Sequence, residues 1–247
     1  MSRVRKTLES DCGQDAAKGA MIASKATFVA VNIILIVRSS SSILEQYWRG
    51  GGYVDQGLEK TCSFYFYAAV VLLLAAAARS NGPSRSAILI LLVFGFLSWG
   101  LVEYVLHRFV FHVDAGSIFG RNFVYAAHLT HHENPKATDQ LFASLQISMP
   151  IATAYWLLAW ATLGTWRAAS YLLIGLIAGY FCYEWLHFLA HHGRSRLPLL
   201  RYLKKYHLLH HYRSPDLRFG VTSPIFDFFF GTFRPVRNTV RSSSQEQ

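Results

Sequence analysis

Four apolar runs, arranged as two pairs, constrain this chain more than any other feature of its sequence. Residues 62–78 and 87–106 are nearly free of charge and are separated by Arg79-Ser80-Asn81-Gly82-Pro83. Residues 148–164 and 169–190 repeat the arrangement across a short link containing Trp166 and Arg167. A helix of about 20 apolar residues, rising ~1.5 Å per residue, covers the ~30 Å hydrocarbon core of a bilayer. In lipid every backbone N–H and C=O must find its partner within the segment, so runs of this length with tight polar breaks read as helical hairpins. An earlier run, residues 27–37, is about eleven residues long and is too short to cross unless it extends back to residue 22.

The expected fold is therefore an all-α integral membrane protein with four transmembrane helices in two hairpins. Residues 1–61 form a polar and interfacial N-terminal segment, 62–240 the membrane domain, and 241–247 a disordered tail. Composition agrees: 52% of the residues are hydrophobic and 15% charged, against roughly 25% charged in an average soluble domain. The net charge of +10 raises the question of a nucleic-acid partner. Ten of the 24 Lys and Arg residues lie beyond residue 190, following the last span, and no recognition motif accompanies them. They read as the positive cytoplasmic side of a membrane protein, and nucleic acid is excluded as a partner. Two hairpins bring residues 107–140 and 191–247 out on one face, expected to be cytoplasmic: the endoplasmic reticulum membrane in a eukaryote, the inner membrane in a bacterium. Tyr104, Trp156, Tyr183 and Trp185, near the run ends, are expected as interfacial anchors. Cys12, Cys62 and Cys182 share no spacing that suggests a disulfide framework or a metal site.

All eleven histidines lie between positions 107 and 211, in four groups reading HRFVFH, HLTHH, HFLAHH and HLLHH. Residues three and four apart share a helix face, so His128, His131 and His132 can turn toward one point, as can His207, His210 and His211. His187 and His191 are one turn apart, and His192 points further round. His107 and His112, five apart, reach one ion only if the helix ends there or two ions are held. Eleven imidazoles exceed what one four- to six-coordinate ion needs, whereas two ions with five ligands each use ten. Imidazole suits iron, zinc, copper and nickel alike, so ligand type leaves the metal open. Glu184-Trp185-Leu186-His187 matches a carboxylate-histidine motif of soluble di-iron proteins once, and one copy does not define that class. Glu184, Glu103 and Asp227 are instead candidates for the acceptors to which metal-bound imidazoles donate their second N–H.

From about residue 100 to 233 the boxes EYVLHRFVFH, HLTHH, YEWLHFLAHH and KKYHLLHH, with the tail FGVTSPIFDFFFGTF, resemble the fatty acid hydroxylase and sterol desaturase superfamily of membrane di-iron proteins, and within it the fatty acid 2-hydroxylases. The three residues before the histidine pair of the third box set it apart from the carotenoid hydroxylases and favour an acyl chain as substrate. Where that family has a tyrosine and an aspartate before the third box, Tyr183 matches and Glu184 replaces the acid. The resemblance implies four transmembrane helices capped by a cytosolic histidine-rich helical domain. It also implies two metal ions, iron expected though zinc can occupy the cage, with O2 as co-substrate. The ligands it implies are His107, His112, His128, His131, His132, His187, His191, His207, His210 and His211, with His192 and Asp227 as further ligand or supporting residues and Tyr183 and Glu184 beside the reaction. Some relatives carry a haem domain ligated by two histidines; the first 106 residues here contain none, so the electron donor is expected to be a separate cytochrome b-type or ferredoxin protein. The reading is an O2-dependent lipid hydroxylase. Competing readings keep the site but assign desaturation or a sterol or carotenoid substrate, or make it a structural or sensing metal site without catalysis.

Overall fold

The computed structural model describes residues 56–78, 82–113, 128–138 and 141–236. The apolar run at 27–37 and the tail at 241–247 lie outside them. Among the described residues there is no strand, and the elements are α1 (Gln56–Ala78), α2 (Arg85–Leu106), a π-helical turn (His107–Phe111), α3 (Thr130–Glu133), α4 (Leu145–Leu163), α5 (Trp166–His192), α6 (Pro198–Tyr212) and α7 (Ile225–Phe229).

The helix ends follow local chemistry. Ser84 is extended and its hydroxyl accepts the Ala87 amide at 3.3 Å, starting α2 after the Gly82-Pro83 break. Gly164, at φ +68°, closes α4 with its N–H on Trp160 O, as a left-handed C-terminal glycine does. The next residue, Thr165, is extended and α5 begins at once. Trp166 and Arg167, expected in the link, are thus the first turn of α5, and the link shrinks to Gly164-Thr165.

Two helical stretches, Arg85–Phe111 and Trp166–His192, are long and apolar enough to cross a membrane; Ser63–Ala78 and Ile147–Leu163 are apolar but shorter. Four spans of equal standing were expected, and length alone supports two. α5 is the central element, packed on α1, α2, α4 and α6. Its crossing with α2 is backbone against backbone: a Cβ on Gly95 would overlap the Leu172 carbonyl, and one on Gly175 the Leu92 carbonyl. Such small-residue crossings are how apolar helices approach closely where no hydrophobic effect drives them together. Beyond the crossing, Trp99, Leu176, Ile177 and Tyr180 form a buried core with Tyr67.

The expected aromatic anchors divide. Trp185 is exposed, but Tyr104 is wholly buried and Trp156 donates its indole N–H to Ser170 at 3.2 Å. Each of those two carries a polar atom that finds an internal partner, which is what an interfacial position would otherwise supply.

Candidate metal centre

The ten histidines outside position 192 gather into two groups of five. His107, His112, His128, His132 and His210 form one; His131, His187, His191, His207 and His211 form the other; within each, the candidate ligand nitrogens all lie within 4.8 Å of one another. The boxes do not each serve one point. In HLTHH, His128 and His132 turn to the first group and His131 to the second; in HLLHH, His207 and His211 turn to the second and His210 to the first. Positions i and i+4 differ by about 40° around a helix while i+3 lies about 60° to the other side, so a helix standing between two centres feeds both. His187 and His191 obey the same rule and both serve the second group. His192 is exposed and stacks on Phe188 at 5.1 Å, outside both groups.

The spacing of five in HRFVFH is resolved by the π-helical turn. Its i→i+5 geometry returns His112 to the face of His107, with ring centroids 5.0 Å apart.

The nitrogens have the disposition that cation ligands need. His210 Nδ1 donates to the Leu217 carbonyl at 2.8 Å and His107 Nδ1 to the Phe219 carbonyl. A carbonyl only accepts, so both protons sit on Nδ1 and the Nε2 lone pairs are free. Nε2 of His107, His112 and His210 are buried and make no hydrogen bond. In the second group Nε2 of His131 lies 2.9 Å from that of His187 and 3.1 Å from that of His191, which is 2.9 Å from that of His207. Two ligands ~2.1 Å from one ion and at right angles stand ~3 Å apart, which is the spacing found. The residues therefore fit two metal ions. Burial also keeps the rings neutral. It pushes His112 down to about 4 against the pull of the Asp216 carboxylate, and His131 and His132 down to about 3, neighbouring imidazoles adding to the effect. His128, His207 and His210 are held well below the ordinary range by the same cause. A neutral imidazole is the form that coordinates.

The carboxylates act one step further out than the sequence suggested. Glu103 Oε1 accepts the amides of Val221 and Thr222, the latter at 3.0 Å, and Oε2 accepts the Thr222 hydroxyl. Asp227 accepts the Phe219 and Gly220 amides, both at 2.8 Å, and the Thr232 hydroxyl at 2.7 Å. Both are buried. Together they clamp the segment 219–222, whose neighbouring carbonyls at Leu217 and Phe219 orient His210 and His107. Asp227 thus holds the loop rather than standing among the candidate ligands. These carbonyls are what sequence reasoning missed, since any residue type can supply one. Glu184 Oε1 accepts the Ala143 amide at 3.1 Å and docks the 141–144 loop on α5. The Tyr183 ring lies 5.5 Å from both Trp99 and His187. An apolar cavity bordered by α1, α2, α4 and α5 is lined by Tyr67, Trp99, Ile151, Leu176 and Ile177, together with Tyr183 and His107.

A helical protein with membrane-length apolar helices and two converging sets of five neutral histidines that could hold metal ions has the features of a histidine-box membrane protein. The family model described as fatty acid hydroxylase matches residues 92–232, from mid-α2 through the clamped tail. The chain belongs to the fatty acid hydroxylase family. It is 36% identical over 168 residues to the dihydroceramide fatty acyl 2-hydroxylase FAH2 of Arabidopsis thaliana, covering 66% of this chain and 69% of that one. It is 37% identical over 147 residues to the ceramide very long chain fatty acid hydroxylase SCS7 of Saccharomyces cerevisiae, covering 58% of this chain and 38% of that one. A solved structure titled full length scs7p, with only the hydroxylase domain visible, matches at TM-score 0.63 and 33% identity over 69% of this chain and 65% of that chain. The match thus spans about two thirds of the plant relative and well under half of the yeast one.

Proposed function

We propose that this chain is an O2-dependent di-metal lipid hydroxylase that places a hydroxyl group on C2 of the acyl chain of a fatty acid or sphingolipid. The observation that carries the reading is the apolar cavity whose lining includes His107 of the first histidine group. Its lining is almost wholly apolar and its walls are the long apolar helices, so an acyl chain can enter without crossing water. The relatives' names, dihydroceramide fatty acyl 2-hydroxylase and ceramide very long chain fatty acid hydroxylase, agree with that substrate class. In this reading four helices cross the bilayer in two hairpins, and the histidines lie under a cytosolic cap formed around α6.

The ligands are His107, His112, His128, His132 and His210 for one ion and His131, His187, His191, His207 and His211 for the other, with iron the working metal. When bound, the metal pair activates O2 so that a substrate C–H bond, one O2, two electrons and two protons give the alcohol and one water. The chain's own residues prepare that step. Phe219 and Leu217 carbonyls fix the tautomers of His107 and His210. Trp99, Leu176 and Ile177 keep water from the acyl chain, and Tyr183, packed beside His187, lines the same cavity next to the histidines. The electrons come from a separate cytochrome b-type or ferredoxin protein, and the exposed Arg194, Arg196 and Arg201 offer a basic docking face for it.

Lipid mass spectrometry on cells expressing the chain under oxygen-18, beside a His131→Ala/His210→Ala variant, tests the reading. An oxygen-18-labelled 2-hydroxy acyl product lost in the variant supports it. An unsaturated product without label would mean desaturation, and no change with donor supplied would mean a structural metal site.

A further inference from the structure

The short helix α7 has two faces with different tasks. Asp227 points inward and is wholly buried, whereas Ile225, Phe228 and Phe229 point outward and are 52%, 72% and 71% exposed. Three large apolar side chains on a five-residue helix are an unusual face to offer to water. The height of α7 along α2 says what it meets. Phe226 packs on Gly100, Phe230 stacks on Tyr104 with centroids 4.9 Å apart, and the Phe230 carbonyl accepts Arg108 Nη1 at 3.3 Å. α7 therefore lies beside residues 100–108, within the apolar stretch Arg85–Phe111. The neighbouring stripe of α2 and the π-helical turn, Leu97, Leu101, Val105 and Phe109, is itself exposed. At ~1.5 Å per residue Arg85–Phe111 is about 40 Å long, so its last third reaches from the hydrocarbon into the headgroup zone.

We infer that α7 is a membrane wedge: Ile225, Phe228 and Phe229 insert among the acyl chains of the leaflet on the histidine side, continuing the lipid-facing surface of α2. Arg108, over the Phe109 ring at 4.9 Å, and the exposed Arg234 stand at its rim, where long cationic side chains reach phosphate headgroups while their stems stay in the apolar layer. The wedge is tied to the first histidine group, because the same short helix carries Asp227 into the clamp on Phe219 and Gly220. Bilayer and metal centre thus hold opposite faces of one turn of helix. The inference needs α2 to cross the bilayer but not the proposed hydroxylase chemistry, so either can fail without the other.

The test is spin-label accessibility of the full chain in lipid nanodiscs. With Cys12, Cys62 and Cys182 replaced by serine, a nitroxide is placed at Phe228→Cys and, separately, at Ile225→Cys, with Leu97→Cys as a lipid reference and Arg196→Cys as a water reference. Collision with O2 relative to a water-soluble nickel chelate should match Leu97 and exceed Arg196 at both sites. A ratio matching Arg196 would overturn the wedge by placing the face in water. Suppressed collision with both reagents would overturn it too, by showing a protein, whether a second copy or a donor, covering the face. Two label sites guard against one substitution disturbing the fold.

Discussion

Asp227→Asn should release one metal ion selectively. The carboxylate is buried and accepts three hydrogen bonds, two from backbone amides at 2.8 Å. Asparagine keeps the shape but sets an NH2 group against either the Phe219 or the Gly220 amide, leaving a buried N–H without an acceptor at a cost of about 1–3 kcal/mol. The segment so loosened presents its carbonyls to His107 and His210, both in the first group. Removing such partners weakens metal binding roughly 10–100-fold, equal to about 1.4–2.8 kcal/mol, so the lost clamp is of the right size to account for it. Nδ1 of His131, His187 and His207 in the second group meet no such carbonyl, being buried without a hydrogen bond. In a graded chelator titration read by metal content per chain, the variant should give up one ion at a chelator concentration about 10–100-fold lower than the parent, and the second at the parent's. Loss of both ions together, or parental retention of both, would refute the reasoning.

Gly175→Leu drives a side chain into the Leu92 carbonyl and should cost several kcal/mol, upward of about 3, seen as a lower midpoint of thermal unfolding in detergent. His192→Ala should keep both ions, since that ring lies outside both groups, whereas His187→Ala should lose affinity for one; metal analysis separates them. Ala152→Phe fills the cavity and should cut turnover of long acyl substrates by about tenfold or more, on the ~1–3 kcal/mol that a pocket methylene is worth, with metal content unchanged. For pH, the folded values of His112, about 4, and of His131 and His132, about 3, lie below the unfolded value near 6.5. Above that value both states are neutral and no penalty arises. As pH falls from about 6.5 toward 3 the unfolded chain takes up protons that the folded one refuses, so metal-free protein should lose stability across that window, measurable as a falling unfolding midpoint.

Much of the site is legible in the sequence because histidines at helical spacing carry their geometry with them. The gathering of His187 with His191 follows from one turn of helix. What spacing alone does not tell is the allocation of three histidines in a box between two centres, because that depends on which side of the helix each centre lies. The π-helical turn at His107–Phe111 is invisible for a different reason: no residue type in HRFVF marks a π-helical turn rather than an α-helical one. Glu103 and Asp227 are recognisable as buried acids near the boxes, yet their partners are backbone amides and leave no mark in residue type. The four apolar helices follow from hydropathy, but the short link at Gly164-Thr165 does not, since Trp166 and Arg167 suit a loop or a first helical turn equally.

The division of each HxxHH box between the two centres makes the helix itself the gauge of their separation. Since α3 and α6 each hold one arm on either side, the distance between the centres is set by the angular pitch of a hydrogen-bonded helix, a stiff element, with the His132 ring lying flat on His211 at 4.0 Å as a spacer between them. A small twist of α6 advances His207 and His211 on one side while withdrawing His210 on the other, so the two centres respond in opposite senses, like pans on one beam. Substitutions between the histidines of a box leave this balance alone; inserting or deleting a single residue there tips an imidazole from one pan to the other.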